Sequence, residues 1–131
     1  MSEVLARRSG IKRAYPMSPS QTLKATTCVF LLNGLAIDYQ GATGAGVFAG
    51  IATFEVDNST GAAGSEYVEV EHQEFLLLSA GDVDVNHVGS KVYFSAENKV
   101  SISHDTNKRP KAGTVTQVNA DGKVWVLPEV K

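Results

Sequence analysis

The chain has 131 residues, of which 43% are hydrophobic and 20% charged, with 12 glycines and one cysteine. This length is typical of one domain with a single hydrophobic core. One cysteine excludes an internal disulfide, and no apolar run approaches the roughly 20 residues that cross a bilayer. The N-terminus lacks the hydrophobic segment of a secretory signal, so we expect an intracellular, soluble protein.

The net charge of −2 is distributed unevenly along the chain. Residues 1–24 contain five basic side chains and one acidic side chain, a net charge of +4, whereas residues 25–131 contain seven basic and thirteen acidic ones, a net charge of −6. Gly10, Pro16 and Pro19 interrupt regular structure in the first segment, where apolar residues are sparse. We therefore predict an extended basic N-terminal arm over residues 1–24 and a β domain over residues 25–131.

From residue 26 onward, the sequence is typical of short β-strands separated by turn residues. Residues 26–32 and 35–39 flank Asn33 and Gly34, a dipeptide that favours a two-residue hairpin turn. Residues 47–56, which follow a glycine-rich loop, form the next predicted strand. This part of the chain therefore predicts a hairpin followed by a third strand.

The middle of the chain shows strand periodicity with one interruption. Gly50, inside a predicted strand, indicates a bulge or a point of close backbone approach. In residues 66–78, side chains alternate in polarity around Val68 and Val70, which indicates one long strand or a bent pair. Residues 79–90 mix loop and turn signals, and a short helical turn fits there.

The last third of the chain predicts two further hairpins. Their strand-like segments are residues 91–96 and 99–103, then 113–118 and 123–128. The polar residues 104–112 between the two hairpins predict an exposed loop. Seven or eight short strands in about 105 residues predict an all-β fold, a small β-sandwich or barrel.

No sequence pattern for catalysis, phosphate binding or metal binding is present, so we predict no catalytic, cofactor-binding or metal-binding residues. His72, His87 and His104 are 15 and 17 residues apart, which is not a local zinc spacing. Cys28 lies in an apolar run, where a buried and unreactive thiol is the simplest interpretation.

The acidic side chains allow two interpretations. Asp82 and Asp84, like Glu69 and Glu71, occupy alternate positions and would share one face of a strand. A solvated sheet face explains them simply, whereas together with the histidines they would suit a small β-barrel enzyme. Asn58 begins a glycosylation sequon, which carries no weight without a secretory signal.

The aromatic side chains allow a binding module as an alternative function. Tyr67, Tyr93 and Trp125 would serve as stacking platforms for carbohydrate if they were exposed. We favour core packing for Trp125, because it sits between two valines that would share the opposite face. Nucleic acid is a disfavoured partner, since the acidic body of the chain would repel phosphates.

Four elements follow one another in a recognisable order and spacing. They are a glycine-rich segment at 46–52, a strand at 71–76, a hairpin at 89–95 with Val100, and a final strand pair at 113–118 and 124–127. In this order they resemble the small phage capsid cement or head-decoration proteins of the family with a domain of unknown function numbered 2190. The resemblance covers about residues 26–128.

The resemblance implies an all-β structural protein without enzymatic activity or a cofactor. Such proteins form homotrimers that decorate the outside of an icosahedral capsid, where they bridge major capsid protein subunits. The chain would be made in the host cytoplasm and located on the virion exterior. The arm would contact the capsid or a neighbouring decoration protein through Arg7, Arg8, Lys12, Arg13 and Tyr15. The alternative is a module that binds carbohydrate or a host surface.

Overall fold

The structure, a computed structural model, describes residues 12–130. These residues form twelve β-strands and one short 3₁₀ helix, which confirms the predicted all-β fold class and corrects the predicted number of strands, seven or eight, upward. The first six strands are β1 Lys12–Pro16, β2 Gln21–Leu23, β3 Cys28–Leu32, β4 Leu35–Ile37, β5 Val47–Ala52 and β6 Val56–Asn58. The other six are β7 Tyr67–Glu71, β8 Phe75–Ser79, β9 Lys91–Ala96, β10 Lys99–Ser101, β11 Lys111–Val118 and β12 Val124–Pro128. The 3₁₀ helix, Val85–His87, follows β8.

Five of the strands form a closed barrel. The strand order is β11–β12–β8–β10–β9, and β9 pairs with β11 to close the ring. Neighbouring strands are antiparallel except β8 and β10, which are parallel. The inward-facing side chains form a first core, which also includes Phe30 of β3 and Phe48 of β5. The ring of Phe94 packs edge-to-face against both of these phenylalanines, with centroids 5.0 Å apart, a favourable aromatic geometry.

A second ring of strands lies beside the barrel. Its order is β1–β7–β5–β3–β4, and a parallel bridge between Met17 and Ala36 connects β4 back to the chain after β1. Its buried side chains form a second core of Met17, Leu23, Val29, Ala36, Ala52, Val68 and Val70. The two rings are joined where β5 and β11 pair in parallel at Val47 and Lys111. Strands β2 and β6 form a separate two-stranded sheet.

The predicted extended arm is wrong for residues 12–24. Strand β1 pairs with β7 over its full length, and the side chains of Met17 and Leu23 are 0% and 1% exposed. The apolar residues of this segment are too sparse to give a periodic pattern, but Met17 and Leu23 belong to the second core and Tyr15 packs against it. The β domain therefore includes residues 12–24. The remaining residues of the predicted arm, 1–11, lie outside the described residues.

The predicted turn and bulge are both confirmed. Asn33 and Gly34 have φ angles of 54° and 81°, as a type I′ hairpin turn requires. The register between β3 and β5 shifts next to Gly50, whose φ is 146°. A side chain at Gly50 would collide with the backbone carbonyl oxygen of Glu71. Glycine is therefore required there by both its conformation and the closeness of β7.

Other local predictions are mostly confirmed. Residues 66–78 are the bent pair β7 and β8, and both C-terminal hairpins form as predicted. The short helical turn is the 3₁₀ helix, capped by Asp84. The prediction of an exposed loop over residues 104–112 is wrong at its C-terminal end, because Pro110 is buried and Ala112 belongs to the first core. These two residues lead into β11, where the chain re-enters the barrel.

We predict that Met17→Ala lowers the free energy of unfolding by about 2–5 kcal/mol, because it removes a fully buried side chain from the second core. Urea denaturation followed by Trp125 fluorescence measures the change. The control is Lys24→Ala, an exposed position in the same segment, for which we expect a change within about 0.5 kcal/mol. Equal stability of the two variants would mean that residues 12–24 do not belong to the cooperative core.

Candidate functional site

The described residues of the predicted interface lie on two sides of β1. Lys12 is exposed, and its Nζ lies 3.6 Å from Oε1 of Glu69. Arg13 and Tyr15 stand opposite Val70 and Val68, the buried face of β7. Tyr15 packs against the second core, and Nε of Arg13 is buried without a hydrogen-bond partner. Only Lys12 among these three therefore faces solvent freely.

The two other predicted interface residues, Arg7 and Arg8, lie outside the described residues. Their contact with a capsid or a neighbouring protein stays a prediction. Lys12 and Arg13 are the first two residues of strand β1, so this part of the predicted basic interface lies within the sheet. A surface patch formed jointly by Lys12, Arg13 and Tyr15 is not present, because their side chains alternate across β1.

The histidines occupy separate structural positions. His72 hydrogen bonds through Nε2 to the carbonyl oxygen of Val130. His87 Nδ1 accepts the backbone N–H of Asp84 at 3.0 Å, and His104 Nδ1 accepts that of Asn107 at 2.9 Å. Each histidine therefore fixes a turn or a chain end, which is a structural use of the ring.

Of the acidic residues that the sequence singled out, Asp84 lies beside one histidine, with its Oδ1 3.2 Å from Nδ1 of His87. The Ser101 hydroxyl donates to Oδ2 of Asp82 at 2.5 Å, whereas Oδ1 of Asp84 caps the 3₁₀ helix by accepting the N–H of Asn86 at 2.9 Å. Among residues 12–130, no three His, Cys, Asp or Glu side chains are close enough together to hold a metal ion. The structure thus does not assemble the acid–base site that these residues suggested.

The sequon asparagine is also committed to the fold. Asn58 is 1% exposed, and its side-chain amide donates to the carbonyl oxygens of Ser18 and Ala62 at 2.9 and 3.1 Å. These hydrogen bonds tie the segment after β1 to the loop after β6. A glycan attached to Asn58 would have to displace this buried packing.

A groove of about 430 Å³ opens on the surface of the described part of the chain. Three separate parts of the chain line it: residues 22–24 and 26–28, the residues after β4, and the turn between β9 and β10. Its polar side chains include Lys24, Asp38, Glu97 and Asn98. Hereafter this concavity is called the groove. No sequence motif marks it, because its lining residues are up to 76 positions apart in the chain.

The position of Asp38 is fixed by hydrogen bonds at the edge of the groove. Its Oδ1 accepts the backbone N–H of Gly41 at 2.8 Å, and its own N–H donates to Oε1 of Gln21 at 3.2 Å. The hydroxyls of Thr26 and Thr27 donate to backbone carbonyl oxygens at 2.6 Å. The oxygen atoms of both threonines consequently keep lone pairs for a ligand in the groove.

Cys28 lies in the wall of the groove and is only partly exposed. Burial, with a smaller contribution from the nearby negative charge of Glu97, raises the pKa of its thiol to about 12. A thiol with this pKa stays protonated near neutral pH, and the thiolate is the nucleophilic form. The predicted unreactive thiol is thus supported.

A second surface feature is an apolar stripe on the outside of the barrel. Leu76 and Leu78 of β8 point away from the first core and are 41% and 39% exposed. Trp125 of β12 stands directly opposite Leu76 in the pairing register. These three residues are called the apolar stripe below. The N–H of Leu78 donates to the carbonyl oxygen of Asn98 at 2.9 Å, so the stripe adjoins the groove.

The aromatic residues differ in exposure. The prediction that Trp125 packs in the core is wrong, because Val124 and Val126 face the first core and leave the indole, which is partly buried, on the outer surface. Tyr93 is partly buried and packs edge-to-face on His104, with ring centroids 5.6 Å apart. Tyr67 is 59% exposed. The prediction that the two neighbouring valines share one face of β12 is confirmed, and the indole of Trp125 lies on the opposite, outer face.

No protein-family model, no curated protein and no solved structure matches this chain. In the described part of the chain, no helix has the length and apolar character needed to span a membrane.

We predict that native Cys28 reacts with iodoacetamide at pH 8 roughly a thousand times more slowly than an ordinary thiol, because its pKa is raised from 9.0 to about 12. Mass spectrometry of alkylation in buffer and in urea measures the ratio. Equal rates in both conditions would contradict the burial of this thiol.

The same shift predicts how stability depends on pH. The native state holds the Cys28 proton up to about pH 12, whereas an unfolded thiol loses it near 9.0. The unfolded state therefore binds fewer protons in this window, and the free energy of unfolding falls as pH rises from about 9 toward 12. Urea titrations should show that this fall is shallower in Cys28→Ala than in the unaltered chain. Parallel pH curves would contradict the shift.

Proposed function

We propose that this chain is a structural virion protein that decorates the outside of an icosahedral phage capsid and bridges major capsid protein subunits as a homotrimer. The observation that carries the proposal is the apolar stripe, an exposed patch on an otherwise closed barrel. The order of strand elements described for the capsid cement family adds to it. Two exposed leucines beside a partly buried tryptophan are typical of a protein–protein contact.

A closed barrel suits such a bridging role. Strand β8 is hydrogen bonded on both sides, to β12 and to β10, so it cannot recruit a partner by adding a strand. Contact would be made by side chains on a rigid surface. Rigid surfaces lose little conformational entropy on binding, which favours association.

The energetics of decoration require only modest individual contacts. A specific interface buries on the order of 800 Å² per partner. A trimer engages three sites at once, and its effective concentration multiplies weak contacts. Because the module binds the assembled shell and not the free subunits, it stabilises the shell by mass action.

The basic residues before the sheet would provide a further contact. Lys12 already pairs with Glu69 across β1 and β7, which leaves Arg7 and Arg8 as the cations that we propose to meet acidic groups of the capsid or a neighbouring decoration protein. An exposed ion pair such as Lys12–Glu69 contributes at most about 1 kcal/mol. Exchange of Lys12 to a capsid carboxylate would therefore cost little.

Mass spectrometry of purified phage particles tests the proposed function directly. We expect the chain in the particles at a fixed ratio to the major capsid protein, and sedimentation of the isolated protein should give a trimer. Absence of the chain from particles, together with a monomer in solution, would overturn the proposal.

We predict that Leu76→Lys lowers the copy number on particles about tenfold, because it introduces a charge into the apolar stripe. The control is Val85→Lys, an apolar position that is 71% exposed on the 3₁₀ helix, outside the stripe. Circular dichroism establishes that both variants are folded. Equal loss of attachment in both variants, or no loss in either, would contradict the role of the stripe.

A further inference from the structure

The groove is rich in hydrogen-bond acceptors. Asp38 uses one carboxylate oxygen for the N–H of Gly41 and keeps Oδ2 available. Thr26 and Thr27 donate their hydroxyl protons to the backbone, so their side chains can only accept a further hydrogen bond. The carboxylate of Glu97 is a fourth acceptor in the lining. The lining also contains the donors Lys24 and Asn98, and its four acceptor groups favour a ligand that supplies donors of its own.

The charge of the groove selects the sign of that ligand. Asp38 and Glu97 contribute two negative charges and Lys24 one positive charge, which leaves the lining with a net charge of −1. Within residues 12–130, none of these three side chains belongs to an ion pair. Phosphates and other anions are thus disfavoured. A metal ion is also disfavoured, because the described residues provide no cluster of three ligands.

The neighbourhood of the groove indicates a polypeptide ligand. The apolar stripe begins beside it, because Leu78 is hydrogen bonded to Asn98 in the groove's own wall. A small free cation would use the groove alone. A protein segment with a cationic side chain next to an apolar one would contact both surfaces, in the arrangement of an apolar centre with a charged rim.

We propose that the groove binds a guanidinium group from a basic segment of a partner protein. Arginine matches the acceptors, since its planar group carries five N–H donors and pairs with carboxylates in a forked geometry. Asp38 and Glu97 would be the charged partners, and the threonine oxygens would accept the remaining donors. This inference deepens the proposed function, on which it rests for the role of the apolar stripe, by naming the chemistry of the partner.

A peptide titration of the full chain in solution tests the inference without any phage particle. The first probe is a synthetic peptide with the sequence of residues 1–11, which contains Arg7 and Arg8. A second is an unrelated peptide with one arginine beside one leucine. Each is compared with a copy in which citrulline, a neutral isostere, replaces arginine. We expect the arginine peptides to bind at least tenfold more tightly than the citrulline copies.

The two probes distinguish two sources of the guanidinium group, a separate partner protein and a second copy of this chain. Binding of both arginine peptides supports a groove that accepts arginine from a separate partner protein. Binding of the residue 1–11 peptide alone also supports the inference, and identifies a second copy of this chain as the partner. Binding of the citrulline copies with unchanged affinity, or of no peptide, overturns it. So does saturable binding of a neutral disaccharide in place of the peptides.

Point variants locate the binding site. Asp38→Asn keeps an oxygen at the position that accepts the Gly41 N–H, and Glu97→Gln lies in an exposed turn, so both should remain folded. We expect each to weaken arginine-peptide binding about tenfold. The matched control, Asp105→Asn, changes an exposed carboxylate in the loop between β10 and β11 and should leave binding unchanged. Equal affinity of all three variants would overturn the assignment.

Failure of this inference can be distinguished from failure of the proposed function. If Leu76→Lys loses attachment to particles while Asp38→Asn and Glu97→Gln bind peptides normally, decoration stands and the groove has no part in it. If the groove variants lose peptide binding while particles contain none of the chain, the groove assignment stands and decoration fails.

Discussion

One backbone irregularity, the bulge beside Gly50, allows β3 and β5 to form a wall that is shared by the two cores. Val29 and Phe30 are adjacent in β3, so they point to opposite faces; Val29 enters the second core and Phe30 the first. In β5, Phe48 and Ala52 are four residues apart and would share a face in a regular strand. The extra residue at Ala49, between the partners of Val29 and Phe30, reverses the alternation. The packing of both rings therefore depends on the bulge beside Gly50.

The same wall explains why the segment before residue 25 belongs to the domain. With one face of β3 and β5 turned away from the barrel, a second layer of strands has to cover it. Strands β1 and β7 do so, and Met17 closes the ring through its bridge to Ala36. The composition of this segment indicated an arm because the cover consists of a few separate apolar residues, Tyr15, Met17 and Leu23. Isolated buried residues of this kind leave no periodic pattern in the sequence.

The sequence predicted those features of the fold that depend on neighbouring residues. Asn33 and Gly34 specify their turn through φ angles that few other residues adopt, and alternation around Val68 and Val70 correctly identified a buried face. The sequence did not predict which strands pair with one another. The parallel pairing of β8 with β10 and the pairing of β1 with β7 join segments whose sequences show no mutual signal.

The candidate surfaces were hidden for related reasons. The groove consists of three chain segments that meet only in the folded molecule, so no motif could mark it. The run from Phe75 to Leu78 is apolar at every position, and a continuous apolar run is typical of a strand buried on both faces. Only the barrel geometry shows that Leu76 and Leu78 lack a cover.

A chain with this architecture has limited means of binding another protein. Because β8, β10 and β12 are each paired on both sides, the backbone of the barrel offers no open edge near the stripe, and recognition must use side chains. An apolar stripe alone would bind many surfaces weakly. In the proposed complex, a negatively charged, acceptor-rich groove at its end would reject partners that do not present a cation at the matching distance, because an unpaired buried charge is costly. The stripe would thus supply most of the affinity, and the groove the orientation of the partner.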